Sequence, residues 1–228
     1  MKYQQIISKI KSSYNPKNIA GMKRFGINVE NAYGIPMPEL RKLGKQIGKD
    51  HESAKQLWNS KIHDARILAS IIEQPEMITE RQMDSWVKEF DSWDLCDQCC
   101  MNLFSETEFA NKKAFEWIKS KETFIKRAGF VIMAVLSVHN KDMADKDFQK
   151  FLPFIKKEST DERNFVRKAV NWALRQIGKR NMVLNQEAVK LSKELMKSDS
   201  KSARWIGSDA YRELTNPKTV ARIKNKKR

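Results

Sequence analysis

One pattern, repeated at five places, limits the possible folds of this chain more than any other feature. A polar or basic residue precedes a small one, and an apolar run of helical character follows: DARILASII from Asp64, LCDQCCMNLF from Leu95, RAGFVIMAVL from Arg127, KAVNWALRQI from Lys168 and SARWIGSDAY from Ser202. Aligned on Ala65, Cys96, Ala128, Ala169 and Ala203, the segments step by 31, 32, 41 and 34 residues. That is the size of a helix pair, which cannot bury its apolar stripe alone and therefore stacks on its neighbours. The expected class is all-α, a curved solenoid of antiparallel helix pairs with the five segments on the inner surface. An irregular helical bundle with coincidental spacing is the alternative, and it is all-α as well.

Composition agrees with helices. Helix-forming Lys, Glu, Ala, Leu, Met and Arg dominate, and only eight Gly and six Pro interrupt 228 residues. Breaks at Asn15-Pro16, Gly34-Ile35-Pro36, Gln74-Pro75, Pro153 and Asn216-Pro217 leave room for helices of roughly 10 to 18 residues between them. We expect one repeat domain over 1–216 and a basic C-terminal tail over 217–228. No apolar stretch is long enough to span a membrane and no cleavable leader is visible, so a soluble, cytoplasmic protein is expected; a monomer is the default expectation.

Charge is unevenly placed. With 44 basic and 28 acidic residues the formal net charge is +16, which points to a polyanionic partner. Residues 51–110 carry five basic and twelve acidic groups, whereas 154–228 carry twenty basic and eight acidic ones. A chain polarised in this way suits one face laid along a phosphate backbone better than a uniformly solubilising surface does.

Several side chains could carry chemistry. Trp93 and Asp97 are four residues apart, so on a helix an indole and a carboxylate share one face. The plainer reading is a partly buried Trp near a helix N-terminal Asp. Lys168, Trp172, Arg175 and Lys179 fall at offsets 0, 4, 7 and 11, placing an indole among three cations as nucleic-acid surfaces do. Cation–π cover of Trp172 explains the same pattern. Arg127 opens the intermediate segment and has the planar fork for a phosphate, or is simply solvated.

Other chemistries find little support. His51, His63 and His139 lack ligand spacing, and Cys96, Cys99 and Cys100 have no second pair, so no metal is expected. The cysteines read as small core residues in a reducing compartment. A phosphate loop, a dinucleotide fingerprint and a Gly-x-Ser-x-Gly elbow are all missing, and no cofactor is expected.

Taken in order, Met22-Lys23-Arg24-Phe25, Tyr33-Gly34-Ile35-Pro36 with Pro38-Glu39-Leu40-Arg41, Ser92-Trp93-Asp94-Leu95-Cys96-Asp97, Ile125-Lys126-Arg127-Ala128 and Phe165-Val166-Arg167-Lys168-Ala169 through Trp172-Ala173-Leu174-Arg175 resemble the AlkD family of DNA alkylation repair glycosylases. The resemblance runs from about residue 10 to about residue 215. It implies a solenoid of HEAT-like repeats and excision of positively charged N3- or N7-alkylated purines from double-stranded DNA. By the same resemblance Asp97 is the catalytic carboxylate, Trp93 and Trp172 flank the damaged nucleotide, Arg127 holds its backbone, and Arg175 joins the DNA-contacting surface with Lys168 and Lys179 beside it. Phe25 stands where the family usually has a tyrosine, which keeps the ring and removes a hydroxyl. Two competing functions remain: a HEAT-repeat module that binds damaged or distorted DNA without catalysis, and a scaffold for an acidic protein partner.

Overall fold

Side-chain caps and prolines punctuate the chain into helices. Asn15, Asp50, Thr79, Asn181 and Ser200 each accept a hydrogen bond from a backbone N–H of the turn that follows, and Pro16 and Pro217 occupy first-turn positions where no intrahelical donor is needed. The structure is a computed structural model that describes residues 1–225; all regular structure in it is helical, without a strand. The helices form two compact units, Met1–Ala110 and the remainder from Asn111.

The first unit contains α1 (Tyr3–Ser12), α2 (Pro16–Arg24), α3 (Met37–Ile47), α4 (His51–Asn59), α5 (His63–Ile72), α6 (Glu80–Lys88), α7 (Trp93–Asn102) and a short 3-10 turn, Phe104–Glu106. Here α3, α5 and α7 lie side by side, and α4 packs on α5. The indoles of Trp58 and Trp86 stack face to face, 4.0 Å between centroids, in the core beneath.

The second unit begins at Asn111, one residue into α8 (Ala110–Trp117), and continues through α9 (Thr123–His139), α10 (Asp145–Gln149), α11 (Leu152–Glu158), α12 (Asn164–Gly178), α13 (Met182–Met196), α14 (Lys201–Leu214) and α15 (Pro217–Lys224). In this unit α9, α12 and α14 are lateral neighbours, with α13 laid against both α12 and α14. All five repeated segments therefore belong to the side-by-side layers of their units. Their aligned small residues, Ala65, Cys96, Ala128, Ala169 and Ala203, are all fully buried, because a small side chain lets an adjacent helix approach closely. Gly207 takes this furthest: a Cβ there would lie 2.6 Å from the Ser192 carbonyl oxygen of α13.

The lateral register differs between the units. In the first, side chains pair across neighbouring helices 31 or 32 residues apart, as in His63 with Asp94 and Ser70 with Asn102, which matches the expected steps. In the second, α12 and α14 pair both 34 apart, as in Lys179 with Glu213, which matches the expected step, and one turn further at 38, as in Asn171 with Asp209 and Arg175 with Glu213. Sliding a helix by three or four residues returns the same face to its neighbour, so a pattern of small residues does not fix this stagger.

The segment expected as a basic tail begins as α15, which packs on α13 and α14 and buries Ile223. Lys226, Lys227 and Arg228 of that tail lie outside the described residues. No helix among the described residues is long and apolar enough to cross a membrane.

Candidate nucleic-acid site

In the first unit the chain between α2 and α3 lies across the starts of α5 and α7. Gly34 permits the bend: its φ is +73°, and a Cβ would meet the Asn15 carbonyl oxygen at 2.8 Å. The buried carboxylate of Asp64, at the start of α5, accepts the Tyr33 N–H at 2.6 Å and the Ile35 N–H at 2.7 Å. At the start of α7, Asn28 N–H donates to Ser92 Oγ at 2.9 Å, and the Trp93 indole N–H donates to the Phe25 carbonyl at 3.0 Å.

These bonds join Phe25 and Trp93. Phe25 is 62% exposed, with the Arg24 guanidinium 5.0 Å from its ring centroid, and Trp93 is half-buried. One turn further along α7, Asp97 is 8% exposed, on the same helix face as Trp93 but deeper. Next to Trp93, Asp94 Oδ2 lies 2.9 Å from Nε2 of the buried His63. Burial opposes the imidazolium, yet the hydrogen bond and charge of Asp94, helped by Asp64 and Asp91, outweigh it and raise the His63 pKa above 6.5. His63, Arg66 and Lys61 share an open polar cleft of about 460 Å³ with Asn28, Glu30, Asn31 and Asp91.

The cysteines of α7 are inert packing groups. Cys96, Cys99 and Cys100 are unbridged and fully buried, and burial pushes the Cys99 and Cys100 thiols well above their usual range. Among the described residues no three His, Cys, Asp or Glu side chains gather as a metal would require.

In the second unit, α12 carries Lys168, Trp172 and Arg175 and is capped by Lys179, and the structure brings them onto a face bounded by α14. Lys168 is exposed and Trp172 half-buried. Arg175 and Lys179 converge on Glu213, at 2.7 and 2.6 Å, and Asp209 stands 3.6 Å from Arg175. Burial raises the Glu213 pKa, but Lys179 and Arg175 outweigh it and hold the carboxyl below its ordinary range. Arg127, on α9, is buried and donates through Nη1 to the Phe165 carbonyl of α12 at 2.6 Å.

Residues 6–214 match the sequence pattern of the family described as DNA alkylation repair enzyme, which is nearly the whole chain. The chain belongs to the DNA alkylation repair enzyme family. A relative in Listeria innocua, the uncharacterized protein Lin0241, is 23% identical over 199 residues, 86% of this chain and 87% of its own. One solved structure superposes with a TM-score of 0.78 at 20% identity, covering 93% of this chain and 95% of that one. It is described as a new family of proteins related to the HEAT-like repeat DNA glycosylases with affinity for branched DNA structures. The fold of this DNA alkylation repair family member is thus the HEAT-like repeat.

Sequence reasoning missed the acidic half of the second unit's face and the clasp in the first. Asp209 and Glu213 follow Asn171 and Arg175 by 38 residues, close to the repeat step, and that spacing was the available signal. Asp64 stands at the head of the first repeated segment, where a carboxylate is expected only to favour the helix dipole; its two backbone partners lie about 30 residues earlier and leave no local trace.

Proposed function

We propose that this protein hydrolyses the N-glycosidic bond of positively charged N3- or N7-alkylated purines in duplex DNA, with Asp97 as the catalytic carboxylate. A base alkylated at these positions leaves as a neutral molecule and needs no general acid. Positive charge grows instead on the deoxyribose, and a carboxylate set against it stabilises that charge and orients the attacking water. Near-complete burial of Asp97 reduces solvent screening and makes its charge count for more than in water. Trp93 and Phe25 would lie beside the cationic nucleotide, favouring it through their ring quadrupoles by about 0.5 to 2 kcal/mol each. Trp172, Arg127, Lys168, Arg175 and Lys179 would contribute DNA contacts from the second unit.

The observation that carries this reading is the placement of Trp93 and Asp97 on successive turns of α7, with the indole tied to the backbone of Phe25. Release of free methylated base from alkylated duplex DNA tests it. Asp97→Asn should lower release by about 10² to 10³-fold while leaving duplex affinity equal or slightly higher. Unchanged release by that variant would move catalysis to another group.

A second reading is binding of distorted or branched DNA without catalysis. It is favoured by the depth of Asp97 and by the branched-DNA affinity ascribed to the similar solved structure. A wild-type protein that binds such DNA tightly and releases no base would establish it.

A further inference from the structure

Trp205, which the repeat pattern contains but neither reading above uses, is the most exposed of the six tryptophans, at 39%. It lies on α14 opposite Arg167 of α12, whose guanidinium carbon is 4.8 Å from the indole centroid. Arg167 Nη2 donates to Asn164 at 3.2 Å, which steadies the fork, while its Nε is buried and has no hydrogen-bond partner. One turn before Trp205 stands the exposed Lys201, and beside it Arg204, whose Nη1 is held by the carbonyls of Ser198 and Asp199. Lys168 is exposed next to Arg167.

Charge divides this α12–α14 face along its length. At the far end Asp209 and Glu213 engage Arg175, Lys179 and Arg212. At the near end Arg167, Lys168, Lys201 and Arg204 have no ion-pair partner among the described residues. Carboxylates of an acidic protein or phosphates of a fully stacked duplex would meet the four unneutralised cations, but neither offers a base face to the open indole. A nucleic-acid strand with unpaired bases supplies both complements, phosphates for the cations and a ring for the indole.

We propose that Trp205 and Arg167 form a stacking platform for an unpaired nucleotide, flanked by phosphate contacts from Lys168, Lys201 and Arg204. The platform rests on the reading of this protein as a DNA-binding one and adds a strand with free bases to its ligands. Arg167 covers part of the indole and fixes its orientation; the exposed remainder of the ring receives the base.

The test compares affinities of the full chain for a blunt duplex, the same duplex with a single-stranded flap, and a thymidine oligonucleotide, by fluorescence anisotropy at one fixed salt concentration. Trp205→Ala should weaken flap and oligonucleotide binding about tenfold and change blunt-duplex binding less than twofold. Trp205→Phe, which keeps a ring, should recover most of the loss, and an unaltered melting temperature would establish that the variants are folded. Equal loss on all three ligands, or no loss on any, would overturn the platform while leaving the DNA-binding reading intact. Absence of binding to every DNA by the wild-type protein would overturn both.

Discussion

The start of α7 in the first unit and the α12–α14 face in the second both combine aromatic and charged groups, yet they are built in opposite ways. Around Trp93 the polar groups are mostly internal: the Phe25 carbonyl, Ser92 and the His63–Asp94 pair hold backbone and indole in place, and Asp97, one turn further along α7, is deep. On α12 and α14 the charges line the surface, and carboxylates of the same face offset Arg175, Lys179 and Arg212. The first arrangement gives a fixed geometry of the kind a reaction needs. The second gives a field whose strength is adjustable by single charges, as binding along a phosphate backbone needs.

That contrast can be broken most forcefully at Asp64. Asp64→Ala leaves two part-buried N–H donors without their carboxylate at the loop that carries Phe25, and should cost about 2 to 4 kcal/mol in chemical denaturation. Base release should fall with it while salt-dependent duplex affinity is largely kept. A variant that loses affinity as much as base release would show that the two regions do not divide the work. Glu213→Gln probes the other side: with the charge that Arg175 and Lys179 share removed, and only Asp209 left beside Arg175, duplex affinity should rise roughly threefold to tenfold, and the slope of log affinity against log salt should steepen by about one. An unchanged slope would remove both cations from the phosphate contacts.

The smallest effect is expected at His63. Its folded pKa is raised, so the stability it contributes is fully present below pH 6.5 and is lost as pH rises through the folded value. Asp94, Asp64 and Asp91 are the charges favouring the protonated ring. His63→Gln should therefore lower the melting temperature more at about pH 6 than at about pH 8.5. A gap that is the same at both values would mean that His63 acts only through packing.

Much of this was legible in the sequence, for reasons that differ by residue. Periodicity of small and apolar positions is a direct imprint of helix stacking, so the five segments and their buried alanines and cysteine were readable. Trp93 and Asp97 share a face by spacing alone. What the spacing of four cannot convey is depth, and Asp97 proved nearly buried while Phe25, in a loop, is largely open. The stripe on α12 read as three available cations because its neutralising partner, Glu213, comes from another helix, 34 residues after Lys179 and 38 after Arg175. Arg127 likewise reads as a surface arginine until the Phe165 carbonyl is brought against it.

The tie between the Trp93 indole and the Phe25 carbonyl spans 68 residues of chain. During synthesis at about 5 to 20 residues per second, Phe25 therefore waits roughly 3 to 14 seconds after leaving the ribosome's peptidyl centre before its anchor is even made. The loop can be held by Asp64 before α7 exists, but the bond at Phe25 cannot form. A nascent chain halted before α7 would present that ring without its indole anchor.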